Sequence, residues 1–230
     1  VAENQLGSAG SGVEIRRFED PKELVSALRD NELDAAVRGV LSSSSTLGEI
    51  KQAFAMDKVM RTAILEDHNR KPFMLTPVGI DEGKTKRSRV ELAKSTISYF
   101  ASAQWKLKVG VLSKGRPEDA PRGKDIQKSL EEGEEIAAAL AAEGQDAKHY
   151  AILIEDAIRE CDLLVAPDGV VGNLMFRSLH FVGECRAYGA PIVNMAPVFV
   201  DTSRAKANFV DSVLLAAGLA EVRNRAHERA

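Results

Sequence analysis

The chain has 230 residues, 44% of them hydrophobic but only 5% aromatic, so Ala, Leu, Val and Ile must fill its core. Its 31 Lys and Arg against 34 Asp and Glu leave a formal charge of -3, which gives no basic field for bulk nucleic-acid binding. No apolar run approaches the roughly 18 residues of a membrane span, and Cys161 and Cys185 lack CxxC or histidine spacing, which predicts a cytoplasmic protein without disulfide or zinc site.

No signal peptide opens the chain. Residues 7–12 read as a flexible Gly/Ser segment and Val13-Glu14-Ile15 as a short first strand. Asp20 is placed to cap a helix, with Pro21 in its first position and Glu23 completing a capping box. Leu24, Val25 and Leu28 give that helix a buried face. A strand over 33–37 runs into Arg38-Gly39. The serine run at 42–45 has the composition of a linker or, with Arg38-Gly39, a faint phosphate-loop pattern. A helix is expected over 47–56, then strands over 62–65 and 73–78 as antiparallel neighbours. Val90, Ala93, Ile97 and Phe100 predict a helix reaching about residue 104.

A strand over 107–112 leads into a Gly- and Arg-containing loop, 113–124, and then a helix over 126–142 that Gly133 weakens. Helix 151–159, strand 163–166, helix 173–187, strands 191–194 and 197–200, and helix 205–217 complete the pattern. Repeated strand–loop–helix units predict an α/β fold with a largely parallel sheet.

Two strand ends carry the main candidates. Ser203 and Arg204 stand where a helix is expected to start, so backbone amides and a guanidinium could share an anion. The plain alternative is a Ser or Thr cap beside a solvated arginine, with Asp201 orienting Arg204 or capping the helix itself. Asp168 follows the 163–166 strand, Gly169 and Gly172 permit close backbone passage, and Asn173 and Arg177 follow on the next helix. Asn173 reads equally well as that helix's cap. Ser113, Lys114, Gly115 and Arg116 resemble a phosphate-binding loop, without Walker A spacing. Asp81-Glu82 reads best as a solvated turn. His68, His149, His180 and His227 are too scattered for a metal centre, and no GxGxxG fingerprint with its later acid appears.

Six segments, taken together, carry a resemblance: Ala36-Val37-Arg38-Gly39, Pro77-Val78-Gly79-Ile80-Asp81-Glu82-Gly83, Val109-Gly110-Val111-Leu112-Ser113, Ala166-Pro167-Asp168-Gly169, Gly172-Asn173-Leu174 and Asp201-Thr202-Ser203-Arg204. In this order they resemble the phosphate acetyl/butyryltransferase superfamily. Within it they are most similar to the archaeal branch called methanogenesis marker protein 4, or MtxX, which carries a provisional methyltransferase description. The resemblance implies an isocitrate/isopropylmalate dehydrogenase-like α/β fold: two lobes, a shared, mostly parallel sheet and an interlobe cleft. It treats residues 1–230 as one acyltransferase-like unit that omits the first strand–helix element, and it implies a homodimer.

The acyltransferases move an acyl group between coenzyme A and phosphate. Their Ser-Arg pair falls on Ser203 and Arg204, the arginine on phosphate or carbonyl oxygen and the serine on the thiol or thioester. The aspartate expected seven residues beyond the serine, as base for the thiol, is Val210 here, and Asp211 follows it. One residue on a helix turns a side chain by about 100°. Three functions are therefore carried forward: a methyltransferase associated with methanogenesis, a phosphate acyltransferase, and a non-catalytic ligand-binding protein. The expected partner is a small anionic substrate or cofactor, coenzyme A or another phosphate-bearing ligand, with no nucleic acid, membrane or metal. Its contacts would be Ser113, Arg116, Asp168, Asn173 and Arg177, with Ser203, Arg204 and Asp211 catalytic.

Overall fold

A computed structural model describes residues 12–101, 105–206 and 208–228. Most of the Gly/Ser segment expected at 7–12 lies outside the described residues. The chain divides into two compact units, one of Val1–Val59 with Tyr188–Ala230, the other Met60–Ala187.

In the first unit, helix α1 (Pro21–Arg29) starts as its sequence predicts, although Asp20 accepts from the Lys22 N–H at 3.0 Å. Strand β1 (Ala35–Val37) pairs in parallel with β8 (Val198–Asp201), and β8 pairs antiparallel with β7 (Arg186–Pro191). Alternation along β8 separates two cores. Phe199 joins Leu24, Val25 and Leu28 of α1 and Ile50 of helix α2 (Ser43–Ala53). Val198 and Val200 pack with Ala216 and Ala220 of helix α7 (Val210–Glu228).

The second unit opens with the expected antiparallel pair, β2 (Ala63–Glu66) and β3 (Pro72–Thr76). Strand β6 (Leu163–Val165) lies parallel between β3 and β4 (Val109–Val111), and β4 pairs in parallel with β5 (Ala147–His149). These strands alternate in sequence with helices α3 (Lys86–Ala101), α4 (Lys124–Ala142), α5 (Ile154–Glu160) and α6 (Gly169–Arg177). The α/β class and the mostly parallel pairing follow from these registers. Helices α3 and α4 are clamped by Lys86–Glu135, Arg89–Glu132 and Lys94–Glu143, and among the three cations Arg89 is buried. No helix among the described residues is long and apolar enough to cross a membrane.

Several expectations need correction. Residues 13–15 form no strand. The serine run is helix rather than linker: Ser42 caps α2, and Thr46 Oγ1 donates back to the Ser42 carbonyl at 2.8 Å. Strand β5 has no apolar alternation and was not expected. The helix placed at 151–159 is the shorter α5. The helix placed at 173–187 begins at Gly169, passes into a π turn at Ser178–Val182 and yields to β7. The strand placed at 191–194 is also displaced: β7 ends at Pro191, and a turn follows from residue 193. Pairing of Ala190 and Pro191 with β8 sets this placement, and Gly189 fits where a Cβ would sit 2.4 Å from Val200.

Candidate functional site

In the first unit, β8 delivers Asp201-Thr202-Ser203-Arg204 to the end of the parallel pair with β1. Arg38, from the end of β1, is buried and donates through Nε to Asp201, and through its terminal nitrogens to the carbonyls of Leu41 and Thr202. The Thr202 N–H donates to Asp201 Oδ1 at 2.9 Å, and its hydroxyl to the Gly39 carbonyl at 3.0 Å. Asp201 therefore orients Arg38 and Thr202, not Arg204.

Beyond this knot the loop turns outward. Ser203 Oγ accepts from the Ala205 N–H at 3.3 Å, and Arg204 is exposed without an ion pair among the described residues. Helix α7 starts only at Val210, whose N–H donates to Asn208 Oδ1 at 2.8 Å. Ser203 and Arg204 are thus not at a helix N-terminus, and the amide half of the anion-site expectation is withdrawn. Asp211 lies in the first turn of α7, one position beyond Val210.

In the second unit, Asp168 is the N-cap of α6, accepting from the Val171 N–H at 2.8 Å, which displaces Asn173 from the capping role. Its other oxygen meets Lys114 Nζ at 2.8 Å. Partial burial pushes the Asp168 carboxyl up, but Lys114 and the backbone N–H groups outweigh it and hold the group below the usual carboxylate range. Asn173 instead donates to the Val78 carbonyl at 2.8 Å and pins the 77–83 loop against α6. The Gly169 N–H donates to the Glu82 carbonyl at 3.1 Å.

Beneath that loop, Arg61 Nε donates to Glu82 at 2.6 Å. Burial still pushes Glu82 above the ordinary carboxylate range, against the pull of Arg61. Of the pair expected as a solvated turn, Asp81 is exposed and Glu82 is not.

Ser113 is buried at the end of β4, and its Oγ lies 3.0 Å from His149 Nε2 at the end of β5. Gly133 makes room for this ring, since a Cβ there would lie 2.6 Å from His149 Nε2. The sequence signal for His149 is Gly133, the glycine that interrupts α4. Burial lowers the His149 pKa from 6.5, with Glu134 opposing. The unfolded imidazole therefore takes its proton before the folded one, so stability is full above about pH 6.5 and falls as the pH drops through the folded value. Thermal melts at pH 8 and pH 5.5 should differ less in His149→Gln than in the wild type; an undiminished difference would assign the pH dependence elsewhere. Arg116 is exposed with its N–H on Asp119, and Arg177 lies over the Phe181 ring at 5.2 Å. Structure thus joins Asp168 to the Ser113–Arg116 loop through Lys114, while Asn173 serves the 77–83 loop. Among the described residues no three His, Cys, Asp or Glu side chains gather as a metal site.

A protein of Methanosarcina acetivorans named "Putative methyltransferase mtx subunit X" is 39% identical over 216 residues, which is 94% of this chain and 77% of the relative. Its namesake in Methanosarcina mazei is 36% identical over 222 residues, 96% and 79% of the two chains. The chain belongs to the mtx subunit X family. No family model matches it. The fold of this chain is similar to that of a branched-chain phosphotransacylase from Enterococcus faecalis, with a TM-score of 0.65 and 18% identity over 91% of this chain and 82% of that one. The resemblance read from the six segments is therefore upheld at the level of family and fold. Val210 is the first residue of α7.

Proposed function

We propose that this chain is a transferase that holds a small, anionic, phosphate-bearing ligand on its Ser203–Arg204 loop and moves a methyl group. One observation carries the binding half. Arg204 presents a guanidinium that is unpaired among the described residues, from a loop whose base is fixed by the buried Arg38, Asp201 and Thr202. A guanidinium in that position matches the two-oxygen edge of a phosphate or carboxylate, and its rigid base reduces the ordering cost of binding. The methyl group rests on the name carried by the relatives. In the 113–116 loop of the other unit, Arg116 is exposed without an ion pair among the described residues, whereas Lys114 is already committed to Asp168.

Acyl transfer between coenzyme A and phosphate is the second reading, favoured by the phosphotransacylase-like fold. Valine at position 210 weighs against it, since Asp211 projects about 100° away from the direction that base would take. The isocitrate dehydrogenase-like assignment of the fold and a cytoplasmic location belong to the same proposal.

Calorimetric titration with coenzyme A, S-adenosylmethionine and inorganic phosphate, each alone, separates the readings. Saturable binding of S-adenosylmethionine with transfer of its labelled methyl group supports methyl transfer. Coenzyme A binding with thioester phosphorolysis supports acyl transfer. A folded protein that binds none of the three sinks the anionic-ligand reading itself.

A further inference from the structure

In the second unit, strands β3, β6, β4 and β5 run parallel, side by side in that order. From β4 the chain turns through α4 to β5, on one side of it. From β6, the neighbour on its other side, the chain enters α6, which packs on β3 in the opposite direction. Neighbouring parallel strands whose exits diverge leave a crevice beyond their carboxyl ends, and α/β proteins place ligands there. Lys114, just past β4, reaches across this opening to Asp168, just past β6, with Nζ 2.8 Å from the carboxylate.

Both partners are held by their backbones. The Ser113 N–H donates to the Ala151 carbonyl at 2.7 Å, and the Lys114 N–H to the buried Ser129 hydroxyl at 3.1 Å. Gly115 packs where a Cβ would stand 2.7 Å from Ile126. Asp168 is fixed by its cap on α6. Yet the two side chains are 44% and 26% exposed, and an ion pair so open to water adds little to stability. The anchoring therefore serves to place the charges. The N–H groups of Ser113, Lys114 and Arg116 are already used within the fold. What the loop offers outward is the Lys114 ammonium, which has more donors than Asp168 uses, and the exposed Arg116 guanidinium.

We propose that this crevice is a phosphate site closed by its own carboxylate: Asp168 occupies Lys114 until the phosphate of a monoester ligand takes its place. The Asp168 oxygens are committed to the Val171 N–H and to Lys114, so the exchange admits an anion rather than a cation. Its cost is small because a half-exposed ion pair is weak, and a lysine binds phosphate as a point charge without needing a fixed geometry. The site lies within one unit and involves neither Ser203 nor Arg204.

Calorimetric titration with inorganic phosphate in an Arg204→Ala background isolates this site. Saturable binding should persist there. Asp168→Asn keeps the helix cap, since its side-chain oxygen still accepts from Val171, and should bind phosphate about 3–10-fold more tightly by freeing Lys114. Lys114→Gln should weaken binding about 10-fold or more, with an unchanged melting temperature. A merely structural pair would lower the melting temperature in Asp168→Asn and leave affinity alone, which overturns the proposal. So does the absence of phosphate binding in Arg204→Ala, or equal affinity in Lys114→Gln. Binding lost in Arg204→Ala but intact in Lys114→Gln removes this site and leaves the Ser203–Arg204 loop standing; the reverse pattern supports this site and counts against that loop.

Discussion

Arg38→Ala should cost the chain about 3–5 kcal/mol, because it strands Asp201 as a buried carboxylate without its cation. Both side chains are nearly inaccessible, at 4% and 8% exposure, so water cannot replace the missing partner cheaply. The substitution also removes the donors that the Leu41 and Thr202 carbonyls accept. At roughly 2–4 °C per kcal/mol for a chain of this size, the midpoint of thermal unfolding should fall by about 6–20 °C. Arg38→Ala combined with Asp201→Asn should recover part of that loss, since the second change removes the stranded charge. A melt within 2 °C or so of the wild type for the single variant would show that the knot does not hold the loop.

Gly172→Ala is the second large effect. A methyl group there would stand 1.9 Å from the Pro77 carbonyl oxygen, and one at Gly169 would stand 1.8 Å from that of Gly79. These are backbone atoms, with no rotamer to change, so α6 and the 77–83 loop must separate. Overpacking typically costs 1–3 kcal/mol, and an unyielding backbone neighbour places Gly172→Ala near about 3 kcal/mol or above. Helix propensity alone would favour alanine by about 1 kcal/mol. The two effects therefore predict opposite signs, and a denaturant titration decides between them. A stabilised Gly172→Ala would show that the loop lies farther from α6 than this packing requires.

Local signals served where local physics decides structure. Asp20 and Pro21 mark the start of α1, the apolar runs at 107–112 and 163–166 contain β4 and β6, and the two strands at 62–78 are antiparallel as expected. The same signals failed where a distant strand sets the outcome. The strand expected at 191–194 lies instead at Arg186–Pro191, where Ala190 and Pro191 pair with β8, and the three-residue β5 exists because β4 offers it an edge.

The site shows the same division. Asp168, Ser113 and the Ser203–Arg204 pair could be singled out by their place after apolar runs. Their partners could not. Arg38 meets Asp201 across 163 positions, and His149 meets Ser113 across 36, through strand register rather than spacing. The expected helix N-terminus at Ser203 failed for a simpler reason: the chain enters α7 only at Val210, whose N–H donates to Asn208, later than the apolar pattern implied.

Coenzyme A titrated calorimetrically into the wild type and Arg204→Ala decides whether Arg204 meets the anionic group of a ligand, as proposed. Losing a hydrogen-bonded charge worth about 1.5–3 kcal/mol should weaken binding roughly 10–100-fold. Because Arg204 is exposed and unpaired among the described residues, the melting temperature should stay within about 1 °C of the wild type. Equal affinity in the two proteins, both folded, would contradict the account and remove Arg204 from the site.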